Sequence, residues 1–106
     1  SLRIIYANSF HEGRLEIFHN SSWGTICDVG WTQASSRTAC RQLGYMEASP
    51  VTAALPGTGS APIVLSNVVC TGTENSLTDC TNNGWGNVGL LCTHANDVVV
   101  RCSGKL

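Results

Sequence analysis

The sequence predicts an α+β domain in which a mainly antiparallel β-sheet packs on one α-helix, with long loops stapled by disulfides. Three observations carry this. Short segments rich in β-formers, at residues 2–6, 13–19, 23–27 and 97–102, are broken by turn residues. One stretch, residues 33–43, has helical spacing with a cap before it and a glycine after it. Strands and helices do not alternate regularly, which argues against a parallel doubly wound sheet.

Residues 2–6 (LRIIY) read as a strand and residues 8–13 as a polar turn. Residues 13–19 alternate, with Leu15, Ile17 and His19 on one face and Arg14, Glu16 and Phe18 on the other. Asn20-Ser21 reads as a hairpin turn into a strand over residues 23–27. Asn20-Ser21-Ser22 also fits the N-glycosylation acceptor pattern, making Asn20 a candidate site, although matches this short arise by chance. Thr32 is placed to cap the helix, Ala34, Thr38, Cys40 and Leu43 fall near one face, and Gly44 suits the stop. Residues 45–54 read as a return strand, with Pro50 pointing to an edge. Residues 55–62 (LPGTGSAP) form a loop with two glycines but no phosphate-binding context. Residues 63–69 read as a strand running into a turn, and residues 73–79 as a short helical turn with Thr73 as cap and Leu77 inward. Residues 82–89 are an irregular loop, and residues 97–102 a β-branched strand that closes the sheet.

At 106 residues the chain is one domain, 1–106, with its core over about residues 2–103. Charged residues are 12% of the sequence and the net charge is −1, so no polyanion-binding signature shows in the totals. No apolar run approaches the ~20 residues of a membrane span. With Ser1 first and no signal peptide, the sequence reads as a mature piece or an excised module. Cysteines 27, 40, 70, 80, 92 and 102 contain no C-x-x-C pair and no zinc-finger spacing. An even number, widely spaced, implies three disulfides and an oxidising compartment, with the pairing left open.

The blocks EGRLEIFHNSSWGTICDVGW, ACRQLGY, CTGTENSLTDC, GWG and CTHANDVVVRC, in this order, resemble the scavenger receptor cysteine-rich domains of the six-cysteine type, group A. The resemblance covers nearly the whole chain. The places of the extra bridge in the eight-cysteine type, just before Gly13 and at Tyr45, hold no cysteine. The resemblance implies the pairing Cys27–Cys92, Cys40–Cys102 and Cys70–Cys80. It also implies a curved sheet cradling the helix, with long loops on one side. On the loop-entropy account the short ring contributes roughly 3 kcal/mol and the wide Cys27–Cys92 ring roughly 4.

An enzyme is not expected. His11, His19 and His94 are accompanied by no nucleophile motif, and the implied pairing spares no thiol. A loop-bracing hydrogen bond is the role expected of His94. No cofactor is expected beyond weakly held calcium. Many relatives bind calcium through acidic residues whose places here are Asp28, Val29 and Glu74, and, for a second site, Ser66, Asn67, Leu91, Asn96 and Asp97. Asp28, Glu74, Asn67 and Asp97 are thus the weak calcium candidates, and the lost charge favours no functional cation site.

Recognition then falls to loops: Asp28-Val29 and residues 55–62, 71–74 and 82–91. Trp85, Leu90 and Leu91 are ligand-binding candidates because exposed large apolar groups mark partner contacts. For Trp85 a place in the core is favoured. Arg37 and Arg41 share a helix face that suits an anionic ligand, or is simply solvated. The reading is an extracellular, non-enzymatic ligand-binding module of a secreted or membrane-anchored protein. Its expected partner is a protein, a polyanion or a microbial surface; nucleic acid and membrane insertion are not expected. The alternative is a structural or regulatory accessory domain of a larger extracellular enzyme, such as a protease or a lysyl-oxidase-like protein.

Overall fold

The computed structural model describes residues 1–9, 11–51 and 61–106. The described residues form strands β1 (Leu2–Ser9), β2 (Glu12–His19), β3 (Ser22–Ile26), helix α1 (Gln33–Gln42), and strands β4 (Tyr45–Ser49), β5 (Ile63–Leu65) and β6 (Val99–Lys105). Two 3₁₀ turns, Leu77–Asp79 and His94–Asn96, complete them.

The six strands make one sheet along the path β4-β6-β2-β3-β5, with β1 on β2. β2 is its spine. β1 runs antiparallel beside it from Leu2↔Ile17 to Ser9↔Glu12. β3 takes residues 16–19 of β2 and β6 takes residues 12–14. Each strand has two hydrogen-bonding edges, and β1 occupies one of them along this length, so β3 and β6 share the other and diverge from it. Val98 fills the fork: its carbonyl accepts from Leu15 N at 3.0 Å and its N–H donates to Ile26 O at 2.8 Å. The sheet is mainly antiparallel, as expected, with one exception. β5 pairs parallel to β3, which the apolar run at residues 63–69 does not reveal.

The β2–β3 turn forms at Asn20 and Ser21, with φ of 53° and 68°, the left-handed pair that matches the twist of a tight hairpin. Thr32 caps α1: its Oγ1 accepts from Ser35 N at 3.2 Å, and Ser35 Oγ accepts from Thr32 N at 3.3 Å. The helix ends at Gln42 with Leu43 as C-cap, and Gly44 (φ 96°) turns the chain out. Its buried face runs through Ser35, Thr38, Ala39 and Cys40, while Ala34 and Leu43 pack at the margin. β4 is an edge strand that stops at Ser49 before Pro50, shorter than expected. Pro50 and Val51 follow it outside any strand, and residues 52–54 of the expected strand and 55–60 of the loop lie outside the described residues. The 3₁₀ turn after Cys70 is capped by Ser76, not Thr73; Thr73 instead hydrogen-bonds the Thr71 hydroxyl at 2.9 Å. Leu77 is buried there, as expected.

The core lies between sheet and helix: Leu15, Ile17, Ile26, Leu65, Val68, Leu77, Val98 and Val100, with Ala39 and Cys40 from α1. Each such aliphatic side chain contributes roughly 1.5–3 kcal/mol on burial. β1 lies so close across Gly13 that a Cβ there would sit 2.0 Å from Ile5 O. The outer face of β1–β3 is less simple than alternation suggests. Glu16 is buried beneath Arg3 (2.7 Å) and Arg14 (3.3 Å), and the Arg3 guanidinium lies 4.1 Å from the Trp23 ring centre.

Candidate functional site

Three disulfides set the geometry: Cys27–Cys92, Cys40–Cys102 and Cys70–Cys80, the pairing that the resemblance implies. No cysteine is free. Cys40–Cys102 ties the helix to β6, and Cys27–Cys92 ties the end of β3 to the last loop. They close chain separations of 62 and 65 residues, so each removes much freedom from the unfolded chain.

The loop over residues 82–91 is built in two parts. Its first part is knitted to β5 and the chain that follows it. Gly86 N donates to Val64 O at 2.8 Å, Asn83 Nδ2 donates to Asn67 Oδ1 at 2.8 Å, and the Ser66 hydroxyl donates to Asn87 O at 3.3 Å. Asn87 Nδ2 closes the loop on Asn83 O at 2.9 Å. Asn67 itself takes φ 54° and donates its backbone N–H to Val29 O. Gly30 passes so near that a Cβ there would lie 2.8 Å from Asn67 Nδ2. Polar side chains are thus spent on holding loops together, which no short motif could announce. The second part projects, and Leu90 and Leu91 are 103% and 80% exposed beside the anchored Cys92.

Trp85 is a correction. It is not in the core but on the surface, 40% exposed, lying flat on His19 with ring centres 3.6 Å apart and planes 2° from parallel. The Gly86–Val64 bond presses the loop against the β2–β3 hairpin, and stacking two flat rings there covers apolar area without burying either in the sheet.

Arg37 and Arg41 are placed together but committed. Arg37 Nε donates to Glu47 Oε1 of β4 at 2.8 Å, and Arg41 Nη1 donates to Gly72 O at 2.8 Å. The bond from Arg37, helped by the Ala48 N–H, holds the Glu47 carboxyl below its ordinary range. One arginine braces the helix to the sheet edge and the other to the Cys70–Cys80 loop.

Two clefts open on the described surface. One of about 310 Å³ lies between the hairpin and the loop, lined by His19, Asn20, Ser22, Pro62, Val64, Trp85 and Gly86. The other, about 480 Å³, lies at the β6 end beside His11, Tyr45 and Lys105.

The calcium candidates lie in two regions. Asp28 N donates to Asn96 O and the neighbouring Cys27↔Asp97 bridge sets the two backbones side by side, but Asp28 is exposed while Asp97 is buried. Asp97 is buried and faces the His94 ring, Nδ1 to Oδ2 2.9 Å, the loop-bracing contact expected of His94. Asn67 Oδ1 accepts from Asn83. Glu74 turns back on its own loop, where its carboxylate accepts from Thr71 N at 2.9 Å and Gly72 N at 3.0 Å. Those backbone N–H groups, Thr71 foremost, hold its pKa down at about 2. Among the described residues, ligating atoms of three His, Cys, Asp or Glu residues come together at Cys70, Glu74 and Cys80. There both sulfurs are already bonded to each other. The donor set is thin for an ion that takes six to eight oxygens.

A family model described as the scavenger receptor cysteine-rich domain matches residues 6–103. Lysyl oxidase homolog 3A of Danio rerio is 48% identical over 101 residues, covering 94% of this chain and 13% of that protein. The macrophage scavenger receptor types I and II of Mus musculus is 42% identical over 104 residues, covering 97% and 22%. The chain therefore spans a small part of the curated relatives it matches. Among solved structures, the dimeric form of the SRCR domain of mouse MARCO superposes with a TM-score of 0.77 at 44% identity, covering 95% of this chain and 93% of that one. The third SRCR domain of murine neurotrypsin gives 0.78 at 42% identity, covering 96% and 94%. SRCR domains are non-catalytic modules, and the lysyl oxidase homolog matches fall in the SRCR region rather than a catalytic domain. With its blocks, bridges and sheet in agreement, the chain belongs to the scavenger receptor cysteine-rich family.

Proposed function

We propose that this domain is an extracellular, non-enzymatic module that binds a protein partner through the projecting segment at Leu90 and Leu91. The exposure of these two adjacent leucines beside a disulfide-anchored Cys92 carries the reading. Two large aliphatic side chains held in water at a fixed point gain free energy when a partner covers them. Anchoring at Cys92 lowers the ordering cost of contact. A polyanion is the weaker fit, because Arg3, Arg14, Arg37 and Arg41 each already meet a carboxylate or a carbonyl oxygen.

Biolayer interferometry of the immobilised chain against a panel of extracellular proteins, with heparin and dextran sulfate alongside, tests this. A protein that binds the wild type and loses at least tenfold in affinity on Leu91→Ser supports it. Binding confined to the polyanions, unchanged by Leu91→Ser and lost on Arg41→Ala, overturns it.

A second reading, an accessory domain within a larger extracellular protein, is favoured by the small share of each relative that the match covers. It is compatible with the first when the partner is another domain of the same protein.

A further inference from the structure

We infer that Asn20 carries an N-linked glycan whose first sugar rests on Trp85, so that the His19–Trp85 pair is a built-in seat for the protein's own carbohydrate. The acceptor pattern Asn20-Ser21-Ser22 falls on the β2–β3 turn, and all three residues are exposed. Both turn residues are left-handed, which puts Asn20 at the tip of a tight hairpin rather than along a strand. The same turn borders the 310 Å³ cleft, and Asn20 and Trp85 line it together. His19 precedes Asn20 and pairs with Ser22 across the hairpin, so the acceptor's own neighbour holds the tryptophan ring in place.

The cleft suits a pyranose. Trp85 lines the cleft and is 40% exposed although His19 covers one face of its ring, and an exposed indole face attracts the slightly positive C–H groups on the apolar side of a sugar ring. The rim supplies the hydroxyl of the exposed Ser22 for the sugar's polar edge. This occupant accounts for Trp85 remaining 40% exposed on a segment otherwise tied down by hydrogen bonds. The inference does not rest on the partner-binding reading, which uses Leu90 and Leu91.

The full chain secreted from mammalian cells provides the test. Intact mass before and after peptide N-glycosidase should show one glycan leaving, with Asn20 converted to aspartate, and Ser22→Ala should secrete without it. An unmodified Asn20 overturns the inference. Trimming the glycan to its first sugar, then removing that sugar, should lower the melting temperature at the second step by about 4 °C or more. In Trp85→Ala the second step should have no effect. An equal loss in wild type and Trp85→Ala overturns the seat, as does no loss in either. Should Trp85→Ala fail to fold, the proton spectrum of the trimmed wild type decides. The N-acetyl methyl should lie upfield of its free-sugar position, shifted by the indole ring, and an unshifted methyl overturns the seat.

Discussion

The buried hydroxyl of Ser35 donates to the carbonyl oxygen of Val68 at 2.8 Å and accepts from Cys70 N at 3.3 Å. The same oxygen is part of the helix cap with Thr32. One side chain thus joins the first turn of α1 to the segment that enters the Cys70–Cys80 loop. Ser35→Ala leaves a buried carbonyl and a buried N–H without this partner and weakens the cap. Its expected cost is about 1–3 kcal/mol. A thermal melt should fall by several degrees, since about 1 kcal/mol moves a domain of this size by roughly 4–8 °C. An unchanged melt refutes the hub.

Leu90→Ala and Leu91→Ser should each leave the melting temperature within a few degrees, because surface changes usually cost under ~0.5 kcal/mol. The exposure of both side chains is the reason. Truncating a core leucine costs roughly 2–5 kcal/mol, so a drop above about 10 °C would show that these residues pack inside.

Glu74 should make stability depend on acid pH. Its folded pKa of about 2 lies below the ordinary 4.5, because Thr71 N and Gly72 N donate to the ionised carboxylate. The unfolded chain therefore takes up this proton first as pH falls. The stabilisation is complete above 4.5 and is lost progressively down to about 2. Melting temperature against pH should be flatter across that window in Glu74→Gln than in wild type. Parallel curves would show that the loop bonds do not favour the charged form.

Calcium should bind no tighter than roughly millimolar. Val29 supplies no carboxylate, Glu74 is turned onto its own loop, and Asn67 holds Asn83. Isothermal titration is the check, and a micromolar constant would refute the expectation. Val29→Asp, which adds a charge beside Asp28, should strengthen binding.

Local pattern was enough for much of the fold. Alternation marked β2, Thr32 and Gly44 bracketed the helix, and Leu77 was legible as an inward residue, because period, cap and turn chemistry act within a few positions. The bridge pairing was legible only through the order of blocks that resembles the family, since spacing leaves cysteine partners open. Other features depended on residues far apart in the chain. β5 lies parallel to β3 because Thr25 N meets Pro62 O and Cys27 N meets Leu65 O. Ser76 rather than Thr73 caps the 3₁₀ turn, a choice between two equally good hydroxyls. Trp85 is as apolar in sequence as any core residue, and its surface place follows from His19 stacking against it at the end of β2. Arg37 and Arg41 read as one free basic face until β4 and the Gly72 turn supplied their acceptors. Sequence by itself determined which segments could be strand, helix or turn; tertiary structure decided what each polar and aromatic side chain met, because those partners are brought together only by folding.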